Sequence, residues 1–436
     1  MRNIRIADPR DRAPQRVDAP SGPRDRRREV IATLPMLLLI PALVFAFNPA
    51  AASTKATPDD AATAGRTSRS LVTAAANETA RKPVSTKVAS TPKASTPRVV
   101  VKAATATPKP RTVTRTKASA ATAGTPSPSV GGGYILIARS ALMARPTSGS
   151  SWATLKNWAD KAAGTPSLSD QNDQDDIVAL AKSIVYARTG NAQYRTEAIA
   201  MLKAARGTEA RGTLAEARNV APLALAADFL DWHDAAWNAW LGGLRPDLIS
   251  IHTRRPNNWG THAGASRLAV DLFLRDGTDL VRAAAVFHGW TGDRTAYAGF
   301  KYGEMSWQAD KAAPVGINPV GAKVGGMNVD GILPDDMRRG GAATSVGADG
   351  VSYTWEAMQG ALLQAELLHR AGYASYSWGD QALRRAVVRM YALGHGATGD
   401  DDWQPSLVNA RYGTSFAEKA STHPGKAFGF ADWLWG

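Results

Sequence analysis

Helical periodicity is the feature that most limits how this chain can fold, and it begins near residue 150. In "QDDIVALAKSIVYARTG" (174–190), Ile177, Leu180 and Ile184 recur at spacings of three and four, which places them on one face of a helix. Gly190 follows the last turn, as is typical of a helix end. The same pattern predicts helices at about 151–163, 192–206, 213–230, 235–250, 260–275, 278–289, 354–371 and 379–394. Few stretches alternate like strands, so the pattern predicts an all-α fold.

Helices joined mostly by short loops are typical of stacked helical hairpins, which form either an open solenoid or a closed α/α toroid. One segment, 301–352, interrupts the helices and is rich in Gly and Pro. A connection of this length inside a compact domain is usually functional. The sequence therefore predicts one helical domain over 132–436 with a functional segment inside it.

The first 131 residues differ in composition from the rest of the chain. Nine arginines in 1–29 precede the uncharged apolar run 30–47 and a small-residue stretch, the order found in an export signal. We therefore predict that residues 1–52 are an export signal, cleaved after Ala52, or an uncleaved membrane anchor. Residues 53–131 are almost entirely Ala, Thr, Ser, Pro, Lys and Arg, which predicts a disordered basic linker. A secreted or envelope-tethered protein is expected.

The charge and the motifs exclude several function classes. Residues 1–131 carry 22 Lys and Arg against 8 Asp and Glu, whereas 132–436 carry 30 of each sign, so the domain itself is neutral and no nucleic-acid partner is predicted. The absence of cysteine excludes thiol catalysis. No metal-binding HExxH, P-loop or GxSxG pattern occurs, and "GDDDW" (399–403) is typical of an exposed acidic turn. We predict neither metal nor cofactor.

Polar side chains crowd the start of one predicted helix in "RRPNNWGTHAGASR" (254–267). Asn257 and Asn258 follow a proline, which is typical of helix capping, but capping needs only one side chain. The other amide, the helix N-terminus and His262 would form a donor-rich pocket for a carboxylate. The small residues that follow allow another helix to approach closely. We predict that Asn258 and His262 are catalytic, with Asn257 and Trp259 binding substrate.

A second polar cluster lies between 301 and 356. Arg338 and Arg339 stand on a Gly-rich loop, and Tyr353 is expected at a helix entrance. Such a tyrosine is often a packing residue, but an adjacent guanidinium favours the phenolate and makes it usable as a base. We predict Arg339 and Tyr353 as catalytic, with Tyr302 as the alternative tyrosine. The further substrate-binding candidates are Arg338, Trp307, Gln308, Trp355 and Glu356.

These residues resemble the alginate-lyase group of polysaccharide lyases in "RRPNNWGTHAGASR", in "LPDDMRRGG" (333–341) and in the Tyr353 helix with "AELLHRAGY" (365–373). The likeness runs from about residue 140 to the C-terminus. It implies an α/α toroid that cleaves a uronic-acid polysaccharide by β-elimination. We expect this protein to act without a cofactor and as a monomer. The likeness also implies that Asn258 binds the uronate carboxylate, that Arg339 lies beside the catalytic centre and that Tyr353 is the acid or base.

The chain departs from that family at two points. The better-known members have His directly after the second Asn, where this chain has Trp259, and their Arg and Tyr are closer together than the 14 positions from Arg339 to Tyr353. His262, one helical turn after Asn258, is the substitute that we predict. The chemistry of β-elimination is consistent with donors at Asn258 and His262. Removing a proton next to a carboxylate builds up negative charge on that carboxylate, and preorganised donors must stabilise it.

Two other classes of function remain open. A glycoside hydrolase could use a pair of carboxylates about 5–10 Å apart, and Asp335, Asp336 and Glu356 are available for it. A non-catalytic glycan-binding envelope protein is the other alternative, because a fold alone does not guarantee chemistry. In any of these, Trp307, Trp355 and Trp403 could stack on sugars.

Overall fold

The computed structural model describes residues 133–303, 305–339, 348–418 and 423–436, with the backbone alone at 348 and 349. The predicted export signal at 1–52 and the predicted linker at 53–131 therefore lie outside the described residues. Among the described helices, none combines the length and the apolar composition that crossing a membrane requires.

The described chain is mostly helical. Its first eight helices are α1 (Arg139–Ala144), α2 (Ser150–Ala159), α3 (Asp175–Thr189), α4 (Ala192–Ala205), α5 (Leu214–Phe229), α6 (Ala235–Arg254), α7 (Asn258–Leu274) and α8 (Gly277–Trp290). A two-residue hairpin follows, in which β1 (Lys323–Val324) pairs antiparallel with β2 (Met327–Asn328). The remaining helices are α9 (Pro334–Met337), α10 (Ala348–Arg370), α11 (Trp378–Ala392), α12 (Gln404–Tyr412) and α13 (Ala431–Leu434). Short 3₁₀ turns occupy Ser375–Ser377 and Gly399–Asp401.

The nine helices expected from periodicity are confirmed, and local caps set their ends. Asn191, Thr213, Asp234 and Asn257 each accept a hydrogen bond from a backbone N–H in the first turn of the helix that follows. Gly190 ends α3 in the left-handed conformation, as expected. The four helices without a clear pattern, α1, α9, α12 and α13, are short.

One boundary prediction was wrong in a way that affects the site. Helix α10 begins at Ala348, six residues before the start expected at 354. Tyr353 therefore lies in the second turn of the helix rather than at its entrance. The early turns carry Gly350 and Ser352, which weaken the helical pattern in the sequence.

Helix α7 is the central element of the domain, because it packs against α5, α6, α8 and α10. Every residue from 256 to 273 is buried. Glycines allow the closest of these contacts: a Cβ added at Gly360 of α10 would lie 2.5 Å from the carbonyl carbon of Thr261, and one at Gly264 would lie 2.3 Å from Oε1 of Gln364. The small residues of α7 thus permit the close packing that the sequence predicted.

Candidate functional site

The two asparagines at the start of α7 have different roles. Asn257 is the N-cap, and its side-chain oxygen accepts a hydrogen bond from the backbone N–H of Trp259 at 3.2 Å. Asn258 is completely buried, yet neither Oδ1 nor Nδ2 has a hydrogen-bond partner among the described residues. Leaving a buried polar group unsatisfied typically costs about 1–3 kcal/mol. The Asn258 amide is therefore both a donor and an acceptor that the fold itself does not use.

The helix N-terminus, by contrast, is already occupied by a side chain of the same protein. Oδ1 of the buried Asp336 accepts a hydrogen bond from the backbone N–H of Asn258 at 3.0 Å. Together with the Asn257 cap, this contact satisfies the backbone N–H groups of Asn258 and Trp259, which were expected to bind a substrate carboxylate. That part of the prediction was wrong, because Asp336 lies where an external anion would have to bind. Only side-chain groups remain for this purpose.

Asp336 is held in a mainly neutral form at neutral pH. Burial raises the pKa of Asp336 to about 8, against the lowering effect of the nearby Arg339 guanidinium. A protonated carboxyl still accepts the Asn258 N–H bond through its carbonyl oxygen. Its other oxygen, Oδ2, has no hydrogen-bond partner within the described part of the chain.

His262 follows Asn258 by one helical turn and lies beside a carboxylate. Its Nε2 is 3.9 Å from Oε1 of Glu356, and the His262 side chain is 1% exposed. Burial and the positive charge of Arg218 lower the pKa of His262 to about 3, so the imidazole is neutral at physiological pH. A neutral imidazole carries one N–H donor and one acceptor nitrogen. His262 can therefore donate a hydrogen bond without adding a charge.

Arg339 and Tyr353 are in direct contact. The guanidinium carbon of Arg339 lies over the Tyr353 ring, 4.5 Å from its centroid, and both side chains are half-buried. The backbone N–H of Arg339 donates to the carbonyl of Asp336 at 3.1 Å, which fixes the arginine next to the start of α7. The predicted proximity of these two side chains is confirmed.

The candidates Arg338 and Tyr302 both lie near Asp335. Arg338 donates from Nε to Oδ1 of Asp335 at 3.2 Å, and that oxygen also accepts the backbone N–H of Gly303 at 3.1 Å. Burial raises the pKa of Tyr302 above that of an ordinary phenol, and Asp335 acts in the same direction. A raised pKa works against the use of Tyr302 as a base.

Several predicted substrate-binding side chains have packing contacts instead. The Trp259 ring lies under the Arg255 guanidinium, 4.2 Å from the guanidinium carbon, and is 7% exposed. The side-chain amide of Gln308 donates to the carbonyl oxygen of Val315 at 2.9 Å and accepts from the backbone N–H of Val315 at 3.0 Å. The tryptophans expected to stack on sugars are buried with at most 2% exposure, namely Trp307, Trp355 and Trp403. These side chains present no open face to a sugar, because the core covers them.

Two cations that the sequence did not single out lie close to His262. Nη1 of Arg218, on α5, is 3.3 Å from Oε1 of Glu356. Nζ of Lys426 is 3.4 Å from Oδ1 of Asp176, and all four side chains are buried. Burial lowers the pKa of Lys426 and raises that of Asp176 to about 6. A buried cation inside a helical pattern, as in Arg218 of "LAEARNVAPLA" (214–224), was the available signal.

These contacts bring the four predicted catalytic residues together. Asn258 and His262 share one face of α7, and Tyr353 and Glu356 share one face of α10, three positions apart in helical sequence. The His262–Glu356 contact joins the two helices, and the Asp336–Asn258 hydrogen bond joins Arg339 to them. That these four side chains act as one constellation stays a prediction.

The acidic turn 399–403 was expected to be exposed, but this prediction was wrong at its centre, because Asp401 is buried. Oδ1 of Asp401 accepts hydrogen bonds from the side chains of Gln359 and Gln404, both at 2.8 Å. Within the ranges that the structure covers, no three His, Asp or Glu side chains are grouped so that they could hold a metal ion.

Neither a search against protein-family models nor a search of the curated proteins found a match for this chain.

Proposed function

We propose that this protein is a polysaccharide lyase that cleaves a uronic-acid-containing glycan by β-elimination. The observation that carries the proposal is the unused amide of Asn258, buried beside neutral His262 and linked through Asp336 to the Arg339–Tyr353 pair. A buried amide without a hydrogen-bond partner calls for an explanation, and a ligand that binds among these polar groups is one.

The charge of the cluster supports an anionic substrate. Arg218 is paired with Glu356, Lys426 with Asp176 and Arg338 with Asp335. Since Asp336 is mainly protonated at neutral pH, it does not neutralise Arg339 there. The cluster therefore carries about one uncompensated positive charge among the described residues, which matches the single negative charge of a uronate.

Asn258 and His262 would stabilise the charge that develops on the carboxylate. Loss of the C5 proton moves negative charge onto the carboxylate oxygens, where Nδ2 of Asn258 and an N–H at Nε2 of His262 can donate. Neither atom has a hydrogen-bond partner in the described chain, so no existing bond has to be broken. Donors of this kind, fixed in a site shielded from water, each typically contribute about 10²–10³ in rate.

Tyr353 would act as the acid or base, assisted by Arg339. As phenolate it takes the C5 proton; as phenol it protonates the oxygen on C4 as the C4–O bond breaks and the C4–C5 double bond forms. The guanidinium of Arg339 lies over the Tyr353 ring and holds it in place, with the guanidinium carbon 4.5 Å from the ring centroid. By this chemistry the reaction needs no added cofactor.

We further propose that the helices form an incomplete α/α toroid with α7 as an inner helix, which its contacts with four other helices support. The proposed localisation is secreted or tethered to the cell envelope, on the basis of the sequence before residue 132.

A glycoside hydrolase is the second candidate, and one observation favours it. Asp336 is buried with a pKa of about 8 and is influenced by the charge of Glu356, which is also buried. A protonated carboxylic acid near an ionised one is the arrangement that glycosidases use. The two proposals differ in the bond changes that they require, and hence in their products.

The deciding experiment incubates the purified protein with polymannuronate, polyguluronate and polyglucuronate. A lyase releases an unsaturated product that absorbs in the ultraviolet, together with new reducing ends. A hydrolase releases reducing ends without that absorbance, and a glycan-binding protein releases neither but retains the polymer in a binding assay. Absence of the ultraviolet signal with all uronate polymers contradicts the lyase proposal.

A further inference from the structure

Arg218 is a buried cation next to the proposed site, and the proposed mechanism gives it no role. It lies on α5, its side chain is 10% exposed, and its Nη1 is 3.3 Å from Oε1 of Glu356. The same glutamate oxygen is 3.9 Å from Nε2 of His262. The guanidinium of Arg218 and the imidazole of His262 therefore approach the same carboxylate, and that imidazole is proposed to contact the substrate.

The contact with Glu356 leaves part of the guanidinium unused. Nε of Arg218 is buried and has no hydrogen-bond partner among the described residues. A guanidinium presents five N–H donors in a rigid fork that fits a carboxylate. Burying such a group is costly unless its donors are satisfied, so an unused Nε has capacity for another acceptor.

Three unused polar groups thus lie in the same region: Nε of Arg218, the amide of Asn258 and Nε2 of His262. A carboxylate has two oxygens with about four acceptor sites, which is enough for all three. A neutral ester keeps the carbonyl oxygen but has neither the negative charge nor the second strong acceptor. A site with a guanidinium therefore distinguishes a uronic acid from its ester more strongly than a site with an amide and an imidazole alone.

We propose that Arg218 is a further substrate-binding residue, which holds the uronate carboxylate together with Asn258 and His262, and that Glu356 is the positioning residue that orients its guanidinium. This inference rests on the proposed function, and it adds that the site selects free uronic acid over uronate methyl ester.

The test compares polyuronate with the same polymer after methyl esterification, using wild type, Arg218→Gln and Arg218→Lys. Turnover and equilibrium binding are both measured. Arg218→Gln should lower kcat/KM on the free acid by about 10²–10³, the usual loss for one such donor, and should change activity on the ester much less. Arg218→Lys should recover only part of the loss, because it restores the charge without the fork.

Controls separate binding from folding. Arg385→Gln removes another partly buried arginine of an ion pair, with Asp330, whose contacts lie outside the site. It should leave the ratio of acid to ester unchanged. Because Arg218→Gln removes the ion pair between Arg218 and Glu356, the double variant Arg218→Gln/Glu356→Gln removes both charges of that pair and should show the same loss of selectivity.

The role of Glu356 is tested by the coupling between the two residues. Glu356→Gln should reduce the acid-to-ester ratio in the wild-type background and have little further effect when Arg218 is already Gln. Glu356→Asp should recover part of the ratio, because it keeps the charge. Equal effects of Glu356→Gln in both backgrounds contradict positioning.

The outcomes distinguish this inference from the proposed function. If the wild type forms unsaturated product and Arg218→Gln loses activity on acid and ester equally, the inference is wrong and the lyase proposal stands. If the wild type binds the polymers without cleaving them, the lyase proposal is wrong, and the binding ratio of acid to ester still decides the role of Arg218. A wild type that neither binds nor cleaves any of the polymers contradicts both.

Discussion

The carboxyl oxygen Oδ1 of Asp336 lies 3.0 Å from the backbone nitrogen of Asn258, which is 78 positions earlier in the chain. This contact satisfies the first N–H of α7, while Asn257 caps the next one, so the Asn258 side chain takes no part in capping the helix. It also fixes α9, and with it Arg339, against the start of α7. One hydrogen bond thus connects both halves of the proposed site.

Asp336→Asn should keep activity near pH 7, because an amide accepts the Asn258 N–H bond and is neutral, as the protonated carboxyl is. The pKa of Asp336 is about 8, so the wild type gains a buried negative charge in the site as the pH rises through 8. Wild-type kcat/KM should fall there, and the variant should fall less. Loss of all activity in Asp336→Asn at pH 7 would instead identify Asp336 as the general acid of a hydrolase. The measurement is kcat/KM from pH 6 to about pH 9.

Tyr353→Phe should abolish elimination and leave polymer binding largely intact, because it removes the group that moves the proton and keeps the ring under Arg339. Formation of unsaturated product and equilibrium binding are followed in parallel. Tyr302→Phe is the matched variant and should retain turnover. The reverse pattern would transfer the catalytic role to Tyr302.

Asn258→Ala should lower turnover more than affinity, since its amide meets charge that develops in the transition state. The expected loss in kcat is about 10²–10³. The adjacent Asn257→Ala removes a helix cap and should lower the free energy of unfolding by about 1 kcal/mol. Kinetics and urea denaturation of both variants separate these effects. An Asn258→Ala variant with unchanged kcat would contradict the carboxylate pocket.

Gly360→Ala should disturb the crossing of α7 and α10. Its Cβ would lie 2.5 Å from the carbonyl carbon of Thr261 and 2.6 Å from the nitrogen of His262, so one helix must shift. Overpacking of this kind typically costs about 1–3 kcal/mol, and here it also moves His262 relative to Glu356. Gly243→Ala, at an exposed position of α6 with nothing within 4 Å of the added Cβ, should instead stabilise the protein by about 0.5–1 kcal/mol. Thermal unfolding of the two variants makes the comparison.

Glu216 should make stability depend on pH in a defined direction. Burial raises its pKa from 4.5 to about 7, so the folded state prefers the protonated form. Its contribution is fully present below pH 4.5 and is lost as the pH rises through 7, at about 1.4 kcal/mol for each unit of pKa shift. Glu216→Gln should lack this decrease and be more stable than the wild type above pH 7. Urea denaturation at several pH values tests it; parallel curves for the two proteins would contradict it.

The helical framework was predictable because the signal is local. Apolar spacing and capping residues such as Asn257 and Gly190 act over a few positions, and each is visible in the sequence. The predicted start of α10 was wrong because Gly350 and Ser352 are poor helix formers. The helix includes them in the structure, where α10 packs against α7 and α9.

The site was only partly predictable, because half of it depends on contacts between distant segments. Asn258, His262, Arg339 and Tyr353 stand in polar motifs and were found. Nothing near Asp336 in the sequence indicates that it accepts a hydrogen bond from the start of α7. Likewise, the sequence around Arg218 in α5 does not indicate that this arginine contacts Glu356. The prediction that the tryptophans stack on sugars was wrong for a different reason. A large aromatic side chain suits a sugar-binding surface and a buried core equally well, so its presence in the sequence does not distinguish the two.

The burial of α7 over residues 256–273 limits how the protein could be re-engineered. Because protein interiors are close-packed, most substitutions at these positions would disturb neighbouring side chains, so mutant libraries placed there would contain many destabilised variants. Under the proposed function, new sugar preferences would have to be built from the half-buried residues around it, Tyr302, Arg338 and Tyr353, while the Asn258 amide and the His262 imidazole stay unchanged.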